Sequence, residues 1–520
     1  MPISRTEEVY RLVKSLTKAE KRAFRLYATR VQGESDMLYL QLFDLLDRQK
    51  VLDEEKLRTK MPKLNASRYA NLKRHLYKQI LNSLRIIQKE KNANIKIREH
   101  IDFAYALYWK GLYMQALEIL RKGKKLAQQH HTSFSLLTII EFEKMIQSRH
   151  ITRSGRDQVD QLLKESREAS TTINHLIQLS NLQTELHRFY IARGHVKNSE
   201  EQLYVEQEFW PKLEAISAEL LQWKEKVYYY QSMVWYHYIQ NDFSGCLENA
   251  MHWVNILKES KELQNREILL LMRGYNAVLN ASYNLRSADI FNTYLAELED
   301  FRKSTYGRFN RNAQIKSFLF VHNGRMNKHF LAGTFAEGVE GIESTLRRIS
   351  RYGKQVDDHK ILVLYFKIAW MYIGNEQAEK AIPFLHHIIN LQSYSLREDI
   401  QTYARLTFLM AHFDLENYEI LPALVEQYDR YFQRVKEKNA VQDLVLGFFK
   451  EVASVPILER RALYKQYHDA LLEVRKDTFA ERSFLYLDIL PWLRAKIERK
   501  SLSRIMQEPA TQPVSLRSRM

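Results

Sequence analysis

The stretch from residue 103 to residue 120, FAYALYWKGLYMQALEIL, decides the fold because it reads as two helices joined by one tight turn. On the first helix a large residue and a small residue, Phe103 and Ala104, stand side by side. Gly111 can adopt the backbone conformation that a tight turn requires, and the aromatic residue Tyr113 follows it. Small side chains let two helices approach closely, and an aromatic ring fills the space beside the turn. The stretch therefore predicts a helical hairpin.

The same succession of a turn, an aromatic or apolar residue and a small residue returns along the chain. Its copies are marked by Tyr113 with Ala116, Gly194-His195-Val196 with Ser199, Asn241-Asp242-Phe243 with Cys246 and Ala250, Gly333-Thr334-Phe335 with Gly338, Ala378 with Ala381 and Leu385, and Glu416-Asn417-Tyr418. Two of the intervals between these turns are twice as long as the others, which predicts degenerate copies near Gly155 and Leu285. The repeat length is then roughly 40–50 residues, a length found in helical repeats.

On these residues the chain resembles the tetratricopeptide (TPR) family of helical repeat proteins, over about residues 96–490. The resemblance implies an α-solenoid of roughly seven to nine TPR-like hairpins with a concave groove that binds a peptide or protein. The repeat is elongated relative to the TPR consensus of about 34 residues. In the copy before Gly333, Arg325 also occupies a first-helix position where the family pattern has a large apolar residue.

Composition supports an all-α chain of several parts. Glycine (15) and proline (9) are scarce among 520 residues, as expected for long helices with short connections. We expect a basic helical N-terminal domain over residues 1–95, the TPR-like α-solenoid over 96–490, and a basic disordered tail over 491–520.

The single cysteine, Cys246, allows no disulfide within the chain. The first residues lack the apolar run of a signal peptide and no apolar stretch predicts a membrane span, so we expect a cytoplasmic location.

Positive charge is concentrated at the two ends of the chain. The net charge is +17, and residues 1–100 carry 23 basic and 12 acidic residues, whereas residues 494–520 carry 7 and 2. The residues between them are nearly neutral. A basic end can bind nucleic acid, an anionic membrane or an acidic protein, or it can serve only as a solvated surface.

Within the basic N-terminal region, a short helix from Asp53 to Met61, a break at Pro62 and a long helix from Ser67 loosely resemble a helix-turn-helix. A basic patch is predicted on the exposed side of the second helix, where phosphates could be contacted, by Arg68, Lys73, Arg74 and Lys78. Asn71 or His75 could contact base edges. Alternatively the helix caps the solenoid and its basic side is solvated.

Aromatic residues suggest a second surface. By comparison with the TPR pattern, the residues that fall on the side lining the concave groove are Tyr105, Trp109, Tyr228, Trp235, Tyr238, Phe366 and Trp370. Aromatic side chains on a rigid wall can anchor a peptide because they bury a large area at low entropic cost. The alternative is that they pack against the next hairpin.

Motifs of catalysis are missing from the sequence. No glycine-rich phosphate loop and no His-Glu-x-x-His occurs, and the adjacent histidine pairs, His130-His131 and His386-His387, point apart on a helix. Cys246 stands at a small-residue position, where packing explains it. We therefore expect a non-enzyme without metal or cofactor that acts as a protein-interaction scaffold. The alternative is a nucleic-acid-associated regulator that uses the basic N-terminal helices while the solenoid senses a partner.

Overall fold

A computed structural model describes the chain over residues 4–31, 38–62, 64–90, 92–150, 156–390, 398–435, 439–477 and 479–508. Within these ranges every regular element is helical and no residue forms a β-strand, which confirms the all-α prediction. The chain divides into two compact units, Met1–His175 and Leu176–Met520. The predicted domain boundaries at residues 95 and 490 stay predictions.

The first unit contains two groups of helices. Its elements are α1 (Arg5–Ser15), α2 (Lys18–Val31), α3 (Leu38–Arg48), α4 (Glu54–Thr59), α5 (Ala66–Lys89), α6 (Ala93–Trp109), α7 (Tyr113–Gln129), α8 (Ser133–His150) and the first half of α9 (Arg156–Arg193). One apolar core joins α1 to α5, and a second joins α6, α7 and α8. Side-chain caps fix where α4 and α5 begin, since Asp53 and Asn65 accept backbone N–H groups of Lys56 and Arg68.

The second unit continues from α9 to the end of the described chain. Its elements are α10 (Ser199–Glu214), α11 (Trp223–Ile239), α12 (Phe243–Lys258), α13 (Lys261–Arg266), α14 (Ile268–Asn284), α15 (Ala288–Thr305), α16 (Arg311–Ala332), α17 (Phe335–Glu340), α18 (Ile342–Tyr352), α19 (Asp358–Gly374), α20 (Ala378–Ile389), α21 (Glu398–Asp414), α22 (Leu421–Val435), α23 (Ala440–Val452), α24 (Arg460–Arg475), α25 (Glu481–Tyr486), α26 (Leu490–Glu498) and α27 (Leu502–Gln507). Most of these helices pack on the helices just before and after them in sequence.

One turn geometry recurs between the paired helices of the second unit. A residue with positive φ follows the first helix at Asn241, Arg286, Gly333, Glu376 and Glu416, at intervals of 40 to 47 residues. In each turn the residue after the positive-φ residue donates its backbone N–H to the carbonyl five residues earlier. This hydrogen bond closes the end of the helix. A turn of this geometry lies at Arg286, where the sequence predicts a degenerate copy near Leu285. The copy predicted near Gly155 lies outside the described residues.

Small residues allow close helix approach where the sequence predicts it. Ala104 and Ala116 are fully buried between α6 and α7. At Gly374, which the sequence analysis did not single out, an added Cβ would lie 2.4 Å from the ring of Phe335 and would displace that ring. Phe103 departs from the prediction, because its side chain is exposed beside the buried Ala104.

The C-terminal residues correct the prediction of a disordered tail over 491–520. Residues 490–498 and 502–507 form α26 and α27, and the side chains of Trp492, Leu493, Leu502 and Ile505 are buried. These helices are too short to show a sustained periodicity in sequence, so their order depends on tertiary contacts. Residues 509–520 lie outside the described part of the chain.

The contacts of these last helices reach far back in sequence. Trp492 Nε1 donates a hydrogen bond to Asp414 Oδ2 over 3.0 Å, and Lys496 Nζ lies 2.6 Å from Asp414 Oδ1. Gln507 Nε2 donates to the carbonyl of Gly333 over 3.4 Å. Earlier in the same segment, the carboxylate of Asp488 lies 2.7 Å from Arg286. The last helices are therefore an integral part of the second unit.

Candidate interaction surfaces

Exposed apolar residues lie on both sides of the turn between α6 and α7. Trp109 ends α6 with 80% of its surface exposed, and Tyr105, one turn earlier on the same helix, is 44% exposed. Leu112 and Met114, on either side of the start of α7, are 42% and 64% exposed. We call these four residues the Trp109 surface. Single exposed apolar residues are common, but four of them within ten residues of one hairpin are typical of an interaction site.

Packing beneath the Trp109 surface holds it in place. The ring of Tyr105 stacks on Phe142 of α8 with centroids 4.2 Å apart, and Tyr108 contacts both Phe142 and Trp109. Gly111, with φ of 74°, permits the tight turn that brings α7 back along α6. The aromatic anchors therefore project from a rigid hairpin, so little entropy is lost when a partner covers them.

The other five predicted groove residues lie in the second unit and are packed among helices. Phe366 is buried in the core, which corrects its assignment to an open groove, because α19 is covered by α16, α17, α20 and α21. Trp370 is partly buried, and its Nε1 is buried without a hydrogen-bond partner among the described residues. For these two residues the structure favours packing against the next hairpin, the alternative reading of the sequence.

Tyr228, Trp235 and Tyr238 on α11 are also only partly exposed. Trp235 and Tyr238 both contact the ring of Tyr190 on α9, at centroid distances of 5.5 and 5.3 Å. Phe479, from the segment before α25, packs on the same buried core as Tyr190 and Trp235. This aromatic group is thus largely occupied by the chain itself.

Helix α5 presents a basic face. Among its residues, 66–89, there are six basic side chains and no acidic one. Arg68, Arg74 and Lys78 are exposed and form no ion pair with any described residue. Asn71 is exposed on the same helix and accepts a hydrogen bond from Arg74 Nη1 over 3.2 Å. We call Arg68, Asn71, Arg74 and Lys78 the α5 basic face.

Lys73 does not belong to this face, which corrects the predicted patch. Its side chain is 11% exposed, and its Nζ lies 2.6 Å from Thr6 Oγ1 and 3.2 Å from Glu54 Oε1. Burial alone would raise the pKa of Glu54, but the hydrogen bonds from Thr6 and Lys73 outweigh burial and lower it. His75 is engaged as well, with its ring 5.2 Å from that of Tyr39. Helical spacing could not reveal these contacts, since they depend on α1, α3 and α4.

A second basic feature of the first unit lies between α3 and α4. A depression of about 470 Å³ is lined by Leu45, Arg48, Gln49, Lys50, Val51, Leu52, Asp53, Lys56 and Lys60. Four of these side chains are basic and one is acidic. The loop is held by Tyr10, whose hydroxyl donates to the Lys50 carbonyl over 2.8 Å. The lining therefore carries an excess of three positive charges.

Side chains suited to metal binding or covalent chemistry show no such arrangement among the described residues. No group of three or more His, Cys, Asp or Glu side chains there could hold a metal ion. Cys246 is buried, and burial raises the pKa of its thiol well above the ordinary value. None of the described helices is long and apolar enough to cross a membrane.

Comparison with family models, with curated proteins and with solved structures finds no match for this chain.

The sequence pattern predicted Tyr105 and Trp109 as surface residues but did not identify Leu112 and Met114. Both residues lie close to the Gly111 turn. Apolar residues at a turn are not covered by the paired helix, and this position was the signal that could have predicted their exposure.

Proposed function

We propose that the chain is a TPR-like helical repeat protein that binds a partner protein through the Trp109 surface. The exposure of Trp109 carries this proposal. Tryptophan is the residue type most enriched among those that dominate binding energy, and leaving it in water forgoes the free energy of its burial. The partner that fits is a segment presenting apolar side chains, since the exposed residues of the Trp109 surface are aromatic or aliphatic.

The repeat class is supported by the recurring turns and by the buried small residues of the hairpins. Left-handed turn residues at intervals of 40 to 47 residues are what serial hairpins of nearly constant length would produce. Helical hairpins of this kind hold their exposed side chains rigidly, and the known uses of such arrays are in binding proteins and peptides.

Trp109→Ala is expected to weaken binding of the partner by at least about 30-fold, the effect of losing about 2 kcal/mol at a dominant contact. The measurement is quantitative affinity purification of the full chain from native cells, followed by titration of the protein that the wild type recovers. Leu458→Ala, at an apolar side chain that is 94% exposed in the second unit, is the control. Circular dichroism should show an intact fold for both variants. Equal recovery of the partner protein by the wild type and by Trp109→Ala would contradict the proposal.

The α5 basic face supports a second candidate function, binding of nucleic acid. None of the 24 residues of α5 is acidic, and the exposed Arg68, Arg74 and Lys78 can attract phosphates. The other three basic side chains of the helix pair with carboxylates of neighbouring elements. Over residues 66–78 the exposed residues are basic, small or polar: Ala66, Ser67, Arg68, Ala70, Asn71, Arg74 and Lys78. Among residues 66–78 no large apolar side chain is exposed that could insert into a membrane, whereas short side chains let a helix approach a duplex closely. These features favour nucleic acid over a lipid surface.

Arg74→Gln with Lys78→Gln is expected to reduce the salt dependence of duplex binding by the full chain. Each lost phosphate contact lowers the slope of log affinity against log salt by about 0.9, so the pair lowers it by about 1.8. Fluorescence anisotropy with a labelled duplex at several salt concentrations measures the slope. Arg121→Gln with Lys122→Gln, on exposed positions of α7, changes the net charge equally and is the matched control. The same slope change in both variants, or no salt-sensitive binding by the wild type, would exclude this candidate.

A further inference from the structure

Arginines from three different helices lie within electrostatic range of one another in the second unit. Arg302 belongs to α15, Arg325 to α16 and Arg348 to α18. Arg348 donates to the hydroxyl of Tyr306 over 3.3 Å and to the hydroxyl of Tyr352 over 3.4 Å. The Arg302 guanidinium lies 5.7 Å from the centre of the Tyr306 ring. Tyr306 therefore joins Arg302 and Arg348 into one cluster.

This arginine cluster lacks the counter-charges that it needs. Arg325 Nε lies 2.6 Å from Glu299 Oε1. Among the described residues, Arg302 and Arg348 form no ion pair, and the buried Nε of Arg302 has no hydrogen-bond partner. Three guanidinium groups and one carboxylate leave an excess of two positive charges.

The pKa values of Arg302 and of the neighbouring His322 are lowered in part by this positive charge. Burial lowers the pKa of Arg302, and the charges of Arg348 and Arg325 lower it further. Burial, followed by Arg325, Arg302 and Arg348, lowers the pKa of His322 to about 4. His322 is therefore neutral at physiological pH, and its Nδ1 lies 2.9 Å from Thr345 Oγ1. The positive charge resides on the arginines alone.

An unpaired guanidinium that is partly removed from water is costly unless a ligand supplies the missing acceptors. Planar guanidinium groups present forked N–H donors that match the oxygens of a phosphate, and arginine clusters are used to recognise phosphorylated groups. Tyr306 is 36% exposed, so the cluster has access to solvent. A doubly charged anion would balance the excess of two.

We propose that Arg302, Arg348 and Arg325, with the hydroxyls of Tyr306 and Tyr352, bind the dianionic phosphate of a phosphate monoester. Arg325 is the residue that departs from the TPR pattern, in which the corresponding position is apolar. A charged residue in place of an apolar one is expected where a repeat has acquired a ligand site. This site belongs to the second unit, whereas the Trp109 surface and the α5 basic face belong to the first.

Isothermal titration calorimetry of the full chain tests the site with inorganic phosphate, a tripeptide centred on phosphoserine, and adenosine monophosphate, at constant ionic strength. The wild type should bind at least one probe, and the tightest of the three indicates whether the phosphate comes from a protein, a nucleotide or solution. Arg302→Gln should weaken that binding at least about tenfold, as expected for loss of a charge-assisted hydrogen bond. Arg347→Gln, at the exposed neighbour on α18, makes the same charge change and should retain affinity.

Arg348→Gln provides a second variant with the same expected loss, should Arg302→Gln fold poorly. Thermal melts without phosphate give an independent readout, because removing an uncompensated charge should leave the melting temperature of Arg302→Gln unchanged or higher. Failure of the wild type to bind any of the three probes, or equal affinity of the wild type and both cluster variants, would overturn the proposal.

Discussion

Trp492→Ala is expected to lower the free energy of unfolding of the second unit by about 3–5 kcal/mol, the usual cost of removing a buried large aromatic side chain. Trp492 is 2% exposed, and its ring lies 5.4 Å from Phe413 and about 6 Å from Phe448 and Phe449. The substitution also leaves Asp414 without the hydrogen bond from the indole N–H. The loss should appear in urea unfolding followed by circular dichroism.

Leu458→Ala is the control for Trp492→Ala, because Leu458 is almost fully exposed and its truncation should change stability little. The comparison tests whether the last helices belong to the core of the second unit. If Trp492→Ala were as stable as Leu458→Ala, residues 490–508 would not contribute to that core.

Lys124→Ala is expected to cost about 3–5 kcal/mol of stability in the first unit, because it leaves a buried carboxylate uncompensated. Lys124 Nζ on α7 lies 2.7 Å from Glu143 Oε2 on α8 and 2.6 Å from Glu165 Oε2 on α9. The side chain of Glu143 is 5% exposed. The matched control is Lys122→Ala on the same helix, whose ion pair with Glu118 is exposed, so its stability should be essentially that of the wild type.

The loss in Lys124→Ala should grow as pH rises. Burial raises the pKa of Glu143 even with Lys124 in place, and without Lys124 the pKa should rise further. Between the unfolded and folded pKa values the native state then holds a proton that the unfolded state has released, so stability falls with increasing pH. Urea unfolding at pH 5 and pH 8 measures this difference. A pH-independent loss, or equal stability of Lys124→Ala and Lys122→Ala, would show that Glu143 does not require Lys124.

Local sequence patterns predicted the hairpins because the turns are defined by a few adjacent residues. The succession from Gly111 to Ala116 encodes both the tight turn and the close helix approach, and the structure contains each of them. The spacing of these signals also located the turn at Arg286, where no glycine marks it. A left-handed residue without glycine is tolerated there because the surrounding helices determine the turn.

The sequence did not reveal which of the candidate side chains are exposed, because their exposure depends on tertiary contacts. Lys73 and Arg74 are neighbours on α5 and equally basic, yet Thr6 and Glu54, which are distant in sequence, bind only Lys73. In the same way Phe366 is an aromatic residue at a groove position of the TPR pattern, but helices on both sides cover it. Periodicity within one helix cannot report which neighbour covers a face, so the candidate surfaces required the structure.

Photo-crosslinking from position 109 tests most directly whether the Trp109 surface binds a partner protein. The full chain carrying Trp109→p-benzoylphenylalanine would be irradiated in native cells, beside a chain carrying the same residue in place of Leu458. We expect one defined protein to be joined at position 109 alone, and an excess of unmodified chain to suppress that product. No product at position 109, or the same products from both positions, would contradict partner binding at this surface.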